Sequence, residues 1–372
     1  MKRIGLFGGT FNPVHVEHVN VIKNAIEEFN LDKILIIPSK IPPHKDVVPV
    51  SGEHRKRMLE LATREILKAE VDDFELNRDG KSYTYITVEH YARVFKGDKL
   101  FLFIGEDMLL DFKTWKNPDL IMDKVELVAF LRDGFNADLQ KEREYFLKAF
   151  GKSFIKASFT GEKVSSTLIR TRAALGLPIK NVDDLIEDYI KKNSLYAGDK
   201  YTKFLKKNLT EKRLVHTASV VETAVRKARE TGISESKIVL AALLHDCAKY
   251  LDVKDFKDFK IDSNVPEKVV HAFLGEHVAR TVLGVEDEEV LDAIKFHTTA
   301  KPNMSTLAKL IFVADMVEEG RNYEGVSGLR ELFKGDLDFC FKECLKEEMI
   351  HLQKRGGDIY YLTTQANQYY NG

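Results

Sequence analysis

Apolar and polar positions follow two rhythms along this chain, and the rhythm changes near residue 196. Before that point, short apolar runs alternate with amphipathic stretches. The runs Lys2–Phe7, Lys33–Pro38, Asp73–Leu76, Leu100–Ile104, Val125–Ala129 and Phe154–Ala157 predict strands. Between them, apolar residues return every three or four positions, which predicts helices over His15–Phe29, Glu53–Ala69, Thr84–Phe95 and Asp138–Ala149. Alternation of this kind builds an α/β unit, a parallel sheet with helices on both faces. Ligands on such sheets lie beyond the carboxyl ends of the strands, and Gly8 and Gly105 both fall at such ends. From Tyr201 onward the strand signal stops and the helical period continues, as in Leu214–Thr231 and Lys237–Lys249. The polar segment Lys192–Lys200 marks the expected boundary, giving domains over residues 1–196 and 197–372, the second all-α. A chain of 372 residues is too long for one ordinary core, which agrees with two domains.

Composition adds limits to this picture. With 44% hydrophobic and 31% charged residues the chain reads as globular. A net charge of -1 supplies no basic field for nucleic acid, so a phosphate ligand must be held by local groups. The longest apolar runs, Leu100–Ile104 and Ile238–Leu244, are too short for a bilayer, and the N-terminus enters a strand rather than a signal peptide. Three cysteines, an odd number, suit a reducing compartment, so a cytoplasmic location is expected. Cys340 and Cys344 lie four apart without a second metal-type pair and read as helix packing. Oligomeric state stays open.

The string Gly8-Gly9-Thr10-Phe11-Asn12-Pro13-Val14-His15-Val16-Glu17-His18 joins the first strand to the first helix. Paired glycines let the backbone approach an anion, and the helix behind them aims amides and a positive dipole end at it. His15 and His18, three apart, share a helical face. Lys45 follows a proline-stiffened loop and offers a movable cation. Gly105-Glu106-Asp107 ends another strand, and Trp115 sits among polar neighbours as a platform for a ring. Ser165, Ser166 and Thr167 open a further helix with hydroxyls, and Arg170 adds a fork for phosphate oxygens.

The opening string resembles the signature of the nucleotidyltransferase superfamily, and the later stretches resemble the nicotinate-nucleotide adenylyltransferase family over about residues 1–196. Glu75-Leu76-Asn77-Arg78, Ser82-Tyr83-Thr84 and Tyr189–Tyr196 belong to the same likeness. Asn12 stands where members often carry Asp, and Glu106 occupies the middle of the Gly-x-Asp motif. The resemblance implies a Rossmann-like domain that binds ATP with Mg2+ on Gly8, Gly9, Thr10, His15, His18, Asp107, Ser165, Ser166, Thr167 and Arg170. His15 and His18 act as the catalytic pair. Nicotinate mononucleotide lies on Trp115, Thr84 and Tyr85, with Lys45 at its phosphate. Pantetheine phosphate and nicotinamide mononucleotide are the competing acceptors.

The second half carries its own constellation: His216, His245-Asp246, Lys249, His271, His297 and Asp315. Adjacent His and Asp at a helix end can converge on a metal, and an aspartate can bridge two metals. An aspartate in an apolar helix is costly without a partner. His90, His277 and His351 read as ordinary helical histidines. The ordered set resembles the HD superfamily of metal-dependent phosphohydrolases. Within it the likeness over about residues 205–371 is to the symmetrical bis(nucleosyl)-tetraphosphatases, carried also by Phe296–Thr299, Ile311–Glu318 and Gly320-Arg321. That resemblance implies one metal on His216, His245, Asp246 and Asp315 and another on Asp246, His271 and His297, with iron or manganese as the ions. Asp246 and Lys249 are the implied catalytic residues, Lys249 and Arg321 contact polyphosphate, and diadenosine tetraphosphate is the substrate. Another nucleotide polyphosphate, a cyclic nucleotide, or a sensor role without turnover are the alternatives.

Overall fold

A computed structural model describes residues 1–42, 50–132, 138–162, 164–356 and 359–372. In chain order its first part contains β1 (Arg3–Gly9), α1 (Val16–Glu28), β2 (Lys33–Pro38), α2 (Gly52–Thr63), β3 (Ala69–Val71), α3 (Thr84–Val94), β4 (Lys99–Gly105), α4 (Glu106–Asp111), α5 (Pro118–Lys124), β5 (Glu126–Arg132), α6 (Leu139–Phe150), β6 (Ile155–Gly161), α7 (Ser166–Leu175) and α8 (Asp184–Lys192). The strands form one parallel sheet in the order β3-β2-β1-β4-β5-β6. The order reverses at β1, which lies between β2 and β4, with Phe7 opposite Phe103. The carboxyl ends of β1 and β4 therefore stand side by side at the switch point, the crevice in which such sheets hold ligands.

β1 is central because its side chains suit burial on both faces. Ile4 and Leu6 join Leu35, Leu102, Leu127, Val88 and Phe146 in one cluster. On the other face Gly5 makes room for its neighbours, since a Cβ there would stand 2.8 Å from Leu31 and 2.9 Å from Ile34 and Phe103. Each fully buried Leu or Ile contributes about 1.5–3 kcal/mol through the water it leaves.

Two sequence expectations need correction here. No strand covers Asp73–Leu76: the edge strand is Ala69–Val71, paired through Ile34–Ala69 and Ile36–Val71. Residues 74–77 form a turn instead, with the Phe74 amide donating to Asp72 Oδ1 at 2.8 Å and the Asn77 amide to the Asp73 carbonyl at 3.0 Å. The helix expected to run to Ala69 accordingly ends at Thr63.

The second part is helical: α9 (Lys200–Asn208), α10 (Glu211–Val225), α11 (Ala228–Thr231), α12 (Glu235–Leu244), α13 (Glu267–Thr281), α14 (Glu288–Phe296), α15 (Thr306–Val317), α16 (Val326–Phe333), α17 (Leu337–Arg355) and α18 (Tyr361–Asn371). α10 packs on α12 and α15, and α14 packs on α12, α13 and α15. The helix expected over Leu214–Thr231 is broken after Val225, and the one expected to reach Lys249 stops at Leu244 and continues as turns through residue 250. One compact unit comprises Met1–Arg170 and Ile179–Tyr196, the other Thr171–Pro178 and Ala197–Gly372. Among the described residues, no helix is long and apolar enough to cross a membrane.

Candidate active sites

The strand-to-helix corner after β1 is held by many side chains. Gly8 and Gly9 close β1, and His15 is the N-cap of α1 with an extended backbone, φ −142°. The His15 amide donates to His18 Nδ1 at 3.2 Å, so the neutral His18 ring carries its proton on Nε2. The two imidazoles stack with centroids 3.7 Å apart. Phe11 takes φ +47°, a left-handed conformation that costs a non-glycine residue about 1 kcal/mol or more. Packing holds it there. Its ring meets Phe7 at 5.5 Å and His18 at 5.0 Å, and a Cβ on Gly9 would come within 2.9 Å of it.

The loop's carbonyls are engaged by donors from distant elements. Arg55 donates to the Thr10 carbonyl at 2.8 Å, Arg170 to the Asn12 carbonyl at 2.8 Å, and Ser166 Oγ to the Pro13 carbonyl at 3.1 Å. Tyr196 donates to Asn12 Oδ1 at 2.6 Å. Each carbonyl engaged in this way is one fewer acceptor to repel a phosphate. Ser165 Oγ accepts from the Thr167 amide at 3.2 Å, capping α7, and Arg170 also donates to Thr167 Oγ1 at 2.7 Å. Among the described residues, Gly8 has only the Ile37 carbonyl, at 4.0 Å, near the place of a Cβ, and Gly105 has nothing within 4 Å. Both glycines lie at the ends of adjacent strands at the switch point, and Asp107 lies in the first turn of α4.

A second group lies around α3. Thr84 is its first residue, and its N-cap Tyr83 gives no side-chain cap. Tyr85 and Trp115 are half-buried against the core, Trp115 tilted on Phe112 at 5.0 Å. Glu75 is buried and accepts from Thr87 Oγ1 at 2.6 Å. Burial pushes its carboxyl pKa up, and hydrogen bonds from Thr87 and Ser82 pull the other way without reversing it. Ser82 Oγ in turn accepts from the Lys40 amide at 3.0 Å. Lys45 lies outside the described residues.

In the helical part, His216 comes from α10, His245 and Asp246 from the turn after α12, His271 from α13, His297 from the residue after α14, and Asp315 from α15. Ligand atoms of His216, His245 and Asp246 lie within 4.8 Å of one another, as do those of Asp246, His271 and His297. Asp246 divides its oxygens between them. Oδ2 is 3.5 Å from His245 Nε2 and 3.8 Å from His216 Nε2, while Oδ1 is 3.1 Å from His271 Nε2 and 3.5 Å from His297 Nε2. Asp315 Oδ1 is 3.0 Å from His216 Nε2.

The outer ring nitrogens are held by acceptors: His245 Nδ1 by the Ala242 carbonyl at 2.7 Å, His297 Nδ1 by the Ile294 carbonyl at 2.7 Å, and His216 Nδ1 by Glu318 Oε1 at 3.1 Å. Donation from Nδ1 leaves a lone pair on Nε2, the state a metal needs. Asp246 Oδ1 is buried and accepts no hydrogen bond among the described residues. A buried carboxylate oxygen set among imidazole nitrogens is satisfied by a cation between them, so the donor set fits a metal.

Burial lowers the His216 pKa, but the Asp315 and Glu318 carboxylates outweigh it and raise it above its ordinary value. Burial raises the Asp246 carboxyl pKa, but the His245, His271 and His297 imidazoles outweigh it and hold the group well below its ordinary range. The same balance lowers Asp315, with His216 and Arg321 as the opposing partners. Burial lowers the His245 and His271 pKa values, with Asp246 pulling the other way. Three cations line this centre. Arg213 donates to Asp246 Oδ2 at 2.7 Å, Arg321 to the Asp315 carboxylate and to its carbonyl at 2.7 Å, and Lys249 Nζ lies 3.0 Å from His271 Nε2. Sequence reasoning assigned no role to Arg55, Tyr196, Glu318 or Arg213. Tyr196 and Glu318 stand inside stretches that carry the resemblances, but only the fold reveals their partners.

Comparisons with known proteins divide the chain in the same sense. Residues 6–172 match the cytidylyltransferase-like family and residues 213–320 the HD domain. The Clostridium acetobutylicum protein named "Probable nicotinate-nucleotide adenylyltransferase" is 35% identical over 200 residues, covering 53% of this chain and 100% of that protein. The Mycoplasma genitalium protein named "Probable nicotinate-nucleotide adenylyltransferase/Ap4A hydrolase" is 25% identical over 332 residues, 88% of this chain and 90% of that one. A crystal structure of a predicted HD superfamily hydrolase involved in NAD metabolism, also from Clostridium acetobutylicum, is 35% identical with a TM-score of 0.44, over 46% of this chain and 95% of that one.

Proposed function

Because the chain belongs to the nicotinate-nucleotide adenylyltransferase family over its first half and carries an HD domain in its second, we propose that it is a bifunctional nucleotide enzyme with one active site in each half. The first site transfers adenylyl from ATP to nicotinate mononucleotide. A phosphate oxygen of the mononucleotide attacks the α-phosphorus, the bond to the β-phosphate breaks, and nicotinate adenine dinucleotide and pyrophosphate leave.

Such a displacement needs positioning and charge stabilisation rather than a protein nucleophile. The stacked pair supports this reading most directly. His18, with its Nδ1 committed to the His15 amide, presents Nε2–H as a donor, and His15 lies against it at the mouth of α1. In this reading Gly8, Gly9 and Thr10 cradle the phosphates together with Ser165, Ser166, Thr167 and Arg170. Asp107 would lie at the adenosine side, and Mg2+ accompanying ATP would supply charge neutralisation at the triphosphate.

The second site hydrolyses diadenosine tetraphosphate to two ADP. His216, His245, Asp246 and Asp315 would hold one ion, and Asp246, His271 and His297 the other, with iron or manganese suited to this donor set. Bound ions supply Lewis acidity at the phosphate and an acidified water. The protein's own part is to fix the ligand rotamers through Glu318 and the Ala242 and Ile294 carbonyls, and to neutralise polyphosphate with Lys249 and Arg321. The division of the Asp246 oxygens between two buried groups supports this reading most directly. Incubating the purified protein with ATP and each candidate acceptor, and separately with a panel of nucleotide polyphosphates, tests both assignments by product identification. Pyrophosphate release with nicotinate mononucleotide and ADP release from diadenosine tetraphosphate are expected. Silence on either substrate overturns that half of the assignment.

A further inference from the structure

Next to Trp115, the side chain of Lys116 folds back over two tyrosines, with Nζ 4.7 Å from the centre of the Tyr83 ring and 6.0 Å from that of Tyr85. These rings begin α3: Tyr83 is its N-cap and Tyr85 its second residue. The ammonium makes no ion pair with any carboxylate among the described residues. The lysine itself is exposed. Its stem is thus steered by aromatic faces, and its charge stays available.

Three features meet at this corner: a half-buried indole, a helix start with no acidic residue in its first turn and no side-chain cap, and a cation on a tyrosine platform. A flat ring carrying a carboxylate at one edge matches all three. A ring carrying a neutral carboxamide matches the indole but gains little from the cation.

Resting on the nicotinate mononucleotide reading above, we propose that Lys116 is a specificity-determining residue that reads the pyridine carboxylate and disfavours the amide. Tyr83 and Tyr85 preset its ammonium, so less side-chain freedom is lost when the carboxylate arrives. Partial covering of the pair by the substrate ring lowers the local dielectric and raises the interaction above that of an exposed pair.

The test compares kcat/KM for nicotinate and nicotinamide mononucleotides in the full chain and in K116A, K116Q and K116R. The ratio of the two values is expected to fall about tenfold in K116A and K116Q, chiefly through a higher KM for the nicotinate substrate, and to stay within about threefold of wild type in K116R. A merely structural lysine would lower both substrates alike and leave the ratio unmoved, and that result overturns the proposal. If the wild-type chain does not adenylylate nicotinate mononucleotide at all, the parent reading fails first and the proposal with it. If it does and the ratio is indifferent to the charge at 116, only the proposal fails.

Discussion

Asp246 presents one carboxylate oxygen to His216 and His245 and the other to His271 and His297, so a single buried side chain ties two groups of candidate metal ligands together. The residues that orient those ligands matter as much as the ligands. Glu318, 3% exposed, holds His216 through Nδ1 while its other oxygen accepts from the Gly320 amide at 2.6 Å. Glu318→Ala should weaken metal binding about 10–100-fold in a chelator competition, and Glu318→Gln, which keeps an acceptor, should lose less. Equal losses in the two variants would mean that the orienting bond is not what Glu318 supplies. In the other half, Glu75→Ala strands the Thr87 and Ser82 hydroxyls and should cost about 1–3 kcal/mol. The sign of the pH effect follows from its raised carboxyl: the stability it contributes is present below its ordinary value of 4.5 and is lost as pH rises through the higher folded value. Glu75→Gln should therefore gain in melting temperature relative to wild type as pH rises from below 4.5 through that higher value. A gap that stays constant with pH would contradict this.

Elements deliver these side chains, and their contacts set the tolerances. Gly275 lies one turn after His271 on α13, where a Cβ would meet Ile294 at 3.3 Å, Cys247 Sγ at 3.6 Å and the His245 carbonyl at 3.7 Å. Gly275→Val should push α13 away from α14 and the His245 turn, costing about 1–3 kcal/mol and lowering metal content. Unchanged melting and metal content would show that the helices have slack there. The same scale separates what the sequence displayed from what it hid. Buried parallel strands such as Leu100–Ile104 announce themselves as apolar runs, and the glycine–histidine corner announces itself by spacing. The edge strand Ala69–Val71 does not: three residues including Ala and Glu carry no strand signal, and pairing with Ile34 and Ile36 creates it. The alternating Phe74 and Leu76 look like a strand, yet the turn organised by Asp72 and Asp73 wins. Arg55 is invisible for a different reason. Arginine reads as surface in a sequence, and only the fold shows it 1% exposed, donating to the Thr10 carbonyl.

For the whole molecule, two chemistries sit in two compact units, each with its own machinery. Every partner described for the glycine–histidine corner belongs to the first unit, and every partner described for the histidine–aspartate centre to the second. Paired knockouts show whether the two sites work independently. Adenylyl transfer to nicotinate mononucleotide and ADP release from diadenosine tetraphosphate would be measured on wild type, His15→Ala and Asp246→Ala. His15→Ala should lose at least about a hundredfold in transfer with hydrolysis within about twofold of wild type, and Asp246→Ala should abolish hydrolysis and metal binding while transfer persists. Loss of both activities in either correctly folded variant would contradict the two-site account.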